Sequence, residues 1–87
     1  MDYKALAGEI IRLIGGTENI RQLTHCATRL RLEFYDRSKV DAKKIESLSG
    51  VISVVDKGGQ FQIVIGNDVQ TVFRAVKAEM KEEPGQS

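Results

Sequence analysis

The chain has a single cysteine, a single histidine, one proline and no tryptophan in 87 residues, and each shortage removes a class of protein. One cysteine cannot close an internal disulfide, so a disulfide-stapled secreted scaffold is excluded, and an unpaired thiol suits a reducing compartment. One Cys with one His also falls short of the about four ligands that a structural zinc site uses. No metal and no other cofactor is expected. Long apolar runs are missing: stretches such as Ile63 to Ile65 are far below the roughly 20 residues of a membrane-spanning helix. The N-terminus lacks the basic and then apolar order of a signal peptide. Charge of one sign is missing too. Thirteen Lys and Arg stand against twelve Asp and Glu, a formal net charge of +1. No global field therefore draws the chain to nucleic acid or to anionic lipid, and an anion site has to be built locally.

What is present is the composition of an ordinary globular domain, 41% hydrophobic and 29% charged, at a length that suits one core. Asp2 is placed to cap a first helix whose apolar positions Leu6, Ile10, Leu13 and Ile14 recur at helical spacing, with Gly15-Gly16 as its stop. Ile20 to Thr24 reads as a strand. Thr28 to Phe34 alternates, with Leu30, Leu32 and Phe34 on one face and Arg29, Arg31 and Glu33 on the other. Asp41 caps a short second helix, with Val40 and Ile45 as a hydrophobic staple and Gly50 at its end. Val51 to Val55 is a strand. Lys57-Gly58-Gly59 turns the chain into Gln60 to Ile65, where Phe61, Ile63 and Ile65 share one face and Gln60 and Gln62 the other. Asn67 or Asp68 caps a last helix carrying the stripe Val69, Val72, Phe73, Val76 and Met80.

The order predicts an α+β fold: a four-stranded antiparallel sheet of two hairpins, with three helices covering one face. Residues 1–80 form the domain. Residues 81–87 are polar, hold the only proline, and read as the start of a linker to a following domain.

The chemistry concentrates in Thr24-His25-Cys26-Ala27-Thr28-Arg29-Leu30-Arg31. A thiol precedes two guanidinium groups that alternation puts on one side of a strand, and nearby positive charge favours the thiolate. The same guanidinium groups are planar, forked donors matched to phosphate oxygens, and Thr28 with main-chain amides of the connection adds further donors. A tyrosine-phosphatase loop would need an arginine where Leu32 stands. A thioredoxin-type site would need a second cysteine where Ala27, Thr28 and Arg29 stand. An RNA-binding module using Arg21, Arg29 and Arg31 would add exposed aromatics, whereas Phe34 and Phe61 fall on the core-facing parity. A redox-sensing thiol stays open as a further reading.

The stretch His25-Cys26-Ala27-Thr28-Arg29-Leu30-Arg31-Leu32 resembles the phosphorylation signature of the glucose and beta-glucoside type enzyme IIB domains of the sugar phosphotransferase system. The resemblance extends to Gly15-Gly16-Thr17-Glu18-Asn19-Ile20, Gly50-Val51 and Gln60-Phe61-Gln62-Ile63-Val64-Ile65-Gly66, and so covers roughly residues 1 to 80. It implies a protein-phosphohistidine:sugar phosphotransferase component. Cys26 would take a phosphoryl group from a IIA phosphohistidine and pass it to a sugar bound by a membrane IIC domain. On the same resemblance Arg29 and Arg31 serve the onward step, Thr28 is the signature threonine, and Gln62 lies close to the cysteine. His25 points to the beta-glucoside, sucrose or trehalose branch; its own part in transfer is a minor one, through local charge when protonated. The implied location is the cytoplasmic domain of an inner or plasma membrane permease. Its partners would be a phosphorylated IIA domain and the IIC domain, with no nucleic acid and no direct membrane insertion of this stretch.

Overall fold

In a computed structural model of the chain, residues 1–81 are described; residues 82–87, most of the stretch expected to begin a linker, lie outside the described residues. Helix α1 spans Tyr3–Leu13. The Asp2 carboxylate caps it by accepting the Ala5 N–H at 3.0 Å, and Leu6, Ala7, Ile10 and Leu13 form its buried stripe. The chain leaves α1 through Gly15 and Gly16 at φ 94° and 90°, a region that a side chain disfavours. Space forbids one as well, since a Cβ on Gly15 would stand 2.8 Å from Lys39 Cβ.

Strands β1 (Ile20–His25) and β2 (Arg29–Phe34) form the first hairpin, and β3 (Ser53–Lys57) and β4 (Gln60–Val64) the second. The second closes through Gly58 and Gly59, both at positive φ, as a two-residue turn of the I′ kind requires. The two hairpins join through antiparallel pairing of β2 with β4, which gives the strand order β1-β2-β4-β3 and sets Arg31 opposite Gln62. Leu30, Leu32, Phe61 and Ile63 lie on one face and pack with Ile10 and Ile14 of the α1 region and with Val72 and Val76 of α3 (Val69–Lys81). Arg29, Arg31, Glu33, Gln60 and Gln62 have the opposite parity. The expected α+β architecture is the one observed.

Several boundaries differ from the expected ones. Helix α2 is Ala42–Glu46 and ends before Gly50. The Ser47 N–H is shared between the Lys43 and Lys44 carbonyls and the Leu48 N–H bonds back to Ile45, so the last turn tightens and closes early. Strand β3 begins at Ser53, not Val51, because the Val51 N–H bonds to the Leu48 carbonyl within that turn; Ile52 N–H is the first to reach across, to Val64 at 2.8 Å. Asp68 takes the cap position of α3 through its main-chain carbonyl, which accepts the Val72 N–H at 3.3 Å. Its carboxylate accepts the Tyr3 hydroxyl and so links α3 to α1.

One buried polar side chain holds the corner between these layers. Asn19, 3% exposed, donates to the Ile14 carbonyl at 2.7 Å and the Asp36 carbonyl at 2.9 Å, and accepts the Asp36 N–H at 2.8 Å. It does for the ends of α1 and β2 what a ladder hydrogen bond would do, so burial leaves these groups paired.

Candidate functional site

The first hairpin is closed by Cys26, Ala27 and Thr28, between the last register pair His25 and Leu30 and the start of β2. The Cys26 N–H donates to the Arg29 carbonyl at 3.0 Å, and the Thr28 carbonyl accepts the N–H groups of Ile65 and Gly66, each at 2.9 Å. These bonds fix the tip against the end of β4. The carbonyl of Thr28 is thereby turned to β4, while the main-chain N–H groups of Thr28 and Arg29 serve the Cys26 sulfur.

Cys26 is half-buried and free. Its thiol is lowered from 9.0 to about 7, first by the Thr28 main-chain N–H, against desolvation, then by the Arg29 main-chain N–H and by the Arg31 guanidinium through a hydrogen bond and its charge. A turn that aims successive N–H groups at one point, with a cation beside it, is an anion-binding concavity. It stabilises a thiolate, and it suits the oxygens of a tetrahedral anion attached to that sulfur equally well.

On the open face the two arginines are tied to β4. Arg29 Nη1 donates to Gln62 Oε1 at 2.7 Å, Gln62 Nε2 donates to Gln60 Oε1 at 2.8 Å, and Gln60 Oε1 also accepts Arg31 Nη1 at 2.8 Å. Gln62 is 7% exposed, so its amide is held by partners and not by water. Arg21 pairs with Glu33, the acid of this strand face. A register shift between Ile20 and Gln22 brings Arg21 to that position.

The fold thus gathers Cys26, Arg31 and the main chain of Thr28 and Arg29 directly, and links Gln62 to them through Arg29. The Thr28 side chain is exposed at the tip. His25 is adjacent in sequence but points elsewhere: its ring packs on Phe73 of α3 with centroids 4.5 Å apart, and its Nδ1 donates to the Cys26 carbonyl at 3.0 Å. Beside it, Phe73, Arg74, Lys77, Ala78 and Lys81 line an open groove of about 310 Å³ on α3. Gln60 is the participant that sequence reading passed over. Strand parity put it on the polar face, but its contact with Arg31 is a diagonal one that only the β2–β4 register reveals.

The family model described as phosphotransferase system, EIIB matches residues 8–41. The chain is 46% identical over 76 residues to the PTS system beta-glucoside-specific EIIBCA component of Bacillus subtilis, covering 87% of this chain and 12% of that protein. It is 48% identical over 80 residues to the sucrose-specific EIIBC component of the same organism, covering 91% of this chain and 17% of that protein. The chain therefore spans a small fraction of these curated relatives. The crystal structure of one domain of the PTS system IIabc component from Clostridium difficile superposes with a TM-score of 0.73 at 38% identity, over 94% of this chain and 82% of that one.

Proposed function

Since the chain belongs to the EIIB family of the phosphotransferase system, we propose that it is a phosphoryl carrier with Cys26 as the acceptor. In the first step the Cys26 thiolate attacks the phosphorus of a phosphohistidine on a IIA domain; the S–P bond forms, the N–P bond breaks, and the imidazole leaves. In the second a sugar hydroxyl held by a IIC domain attacks the same phosphorus. The O–P bond forms, the S–P bond breaks, the thiolate leaves, and the hydroxyl proton is given up to solvent or to a base of the IIC domain.

The observation that carries this reading is the environment of the sulfur: main-chain N–H groups of Thr28 and Arg29 with the Arg31 guanidinium, which bring the thiol to about 7. A thiolate populated near neutrality is a competent nucleophile, and the same stabilisation makes it a good leaving group in the second step. Phosphoryl transfer asks for an in-line approach and for donors on the equatorial oxygens, so positioning and electrostatics are the protein's share. Arg31 supplies a forked donor next to the sulfur, and Arg29, held by Gln62, supplies a second cation on the same face. His25 packs its ring on Phe73 of α3 and is given no step in the transfer.

The relatives' names join EIIB to C, and in the beta-glucoside-specific EIIBCA components to C and A, which supports a IIA domain and a membrane IIC domain as the successive partners. Among the described residues no helix is long and apolar enough to cross a membrane, so sugar binding and translocation fall to the IIC domain. On this reading residues 1–80 are the B domain on the cytoplasmic face of a permease, residues 81–87 begin the linker, and the sugar belongs to the beta-glucoside, sucrose or trehalose group. The test is phosphoryl uptake from a phosphorylated IIA domain by the wild-type chain and by Cys26→Ser. The wild type gains the mass of a single phosphate and the variant none; equal uptake by both overturns the assignment.

A further inference from the structure

Strand β4 carries no charged residue from Gln60 to Val64, although two guanidinium groups of β2 lie across from it. Both are met by amides: Arg29 by Gln62, and Arg31 by Gln60. The Gln60 oxygen takes two donors at once, Arg31 Nη1 and Gln62 Nε2, each at 2.8 Å, which occupies both of its lone pairs. The acid that could otherwise take Arg31, Glu33 two residues along the same strand, is paired with Arg21 of β1. A neutral acceptor fixes the direction of a guanidinium without cancelling its charge, whereas a carboxylate would do both. Tying one nitrogen of the planar fork at Gln60 leaves its remaining N–H groups untied on the side of the hairpin tip, where the Arg31 charge helps to lower the Cys26 thiol.

From this we propose that Gln60 is a positioning residue, which anchors the Arg31 guanidinium toward Cys26 while leaving its positive charge free for the anion carried there. The consequence for sugar phosphorylation rests on the carrier reading; the consequence for the thiol does not. The charged groups on the neighbouring strands are Arg29 and Glu33 on β2, Arg21 on β1 and Lys57 at the end of β3; His25, next to Cys26 in sequence, is turned to Phe73. Gln60→Met removes none of these charges; it also frees the Gln62 amide that holds Arg29, an effect that the Arg31→Gln background separates.

The experiment is the pH profile of Cys26 alkylation by iodoacetamide in Gln60→Met, which keeps length and loses the acceptor, with and without Arg31→Gln. Losing the anchor raises the midpoint, and alkylation near neutrality slows about two- to fivefold, the range expected when part of one neighbouring cation's influence on a thiolate is lost. In the Arg31→Gln background Gln60→Met changes nothing further. A wild-type profile in Gln60→Met, or a shift that persists without Arg31, overturns the proposal. Gln60→Glu is the second variant: it keeps shape and acceptor but neutralises Arg31, and alkylation slows more than in Gln60→Met; an unchanged rate again overturns it. Phosphoryl uptake by the wild-type chain, measured alongside, fails only if the carrier reading fails, so the two conclusions stand or fall separately.

Discussion

Replacing Arg31 with Gln isolates the guanidinium's share in activating Cys26. The thiol stands at about 7 against an ordinary 9.0. Near neutrality about half of the cysteine is then thiolate, where an unperturbed thiol would have roughly one part in a hundred. The Thr28 main-chain N–H is the largest cause and the Arg29 main-chain N–H comes next, ahead of Arg31. Arg31→Gln leaves both main-chain donors in place, since the tip is fixed by the bonds from Cys26 N–H to Arg29 and from Ile65 and Gly66 N–H to Thr28. The midpoint therefore moves up only part of the way, to between about 7 and 9.0, and alkylation near neutrality slows several-fold, well short of a hundredfold. The assay is the rate of iodoacetamide alkylation followed by intact mass as pH is varied. A midpoint still at about 7 would mean that Arg31 does not face the sulfur, and one at 9.0 that the main-chain donors do nothing; either result refutes the reasoning.

Because the folded thiol is lowered, its ionisation favours the folded state in full only above 9.0, and that contribution is lost as pH falls through about 7. Denaturant unfolding should show the wild type gaining stability relative to Cys26→Ser as pH rises across this window, and parallel pH dependences would contradict it. Asn19→Ala strips partners from the Ile14 carbonyl and from both main-chain groups of Asp36. At roughly 1–3 kcal/mol for the buried Ile14 carbonyl left unsatisfied, with less from the part-buried bonds to the exposed Asp36, it should lower the unfolding midpoint in a chemical denaturation, with a wild-type midpoint as the contrary result. Gln62→Leu fills the same buried site but removes the acceptor of Arg29. A hydrogen bond to a charged group contributes about 1.5–3 kcal/mol, so onward transfer from the phosphorylated chain to sugar should fall on the order of tenfold or more. The circular dichroism should stay unchanged, and undiminished transfer would remove Gln62 from the site.

The helix–hairpin–helix–hairpin–helix order was legible because each element carries a local signal that nothing overrides. Asp2 and Asp41 cap where they stand, Leu30 and Leu32 alternate with Arg29 and Arg31, and Gly58-Gly59 supplies the positive φ that a two-residue turn requires. The misplaced boundaries are those decided by competition for hydrogen bonds. The Val51 N–H has a partner in its own turn and another within reach across the sheet, and pattern alone does not rank them. At the site, the chemistry of Cys26, Arg29 and Arg31 could be read from spacing because all three belong to one hairpin. The role of Asn19 between two layers and the reach of Gln60 to Arg31 depend on how separate hairpins and corners come together, which is long-range information. His25 is the case where adjacency in sequence misleads: alternation turns it to the Phe73 side while the neighbouring sulfur faces the N–H groups of the tip.

The most direct measurement is to locate the phosphate after incubation with a phosphorylated IIA domain, by fragmenting the tryptic peptide Gln22 to Arg29, which contains both His25 and Cys26. The carrier account predicts a single phosphate on the Cys26 sulfur, lost when an acceptor sugar and its IIC domain are supplied. Phosphate on His25, or no phosphate on this peptide while the IIA domain remains competent toward another EIIB domain, would contradict it.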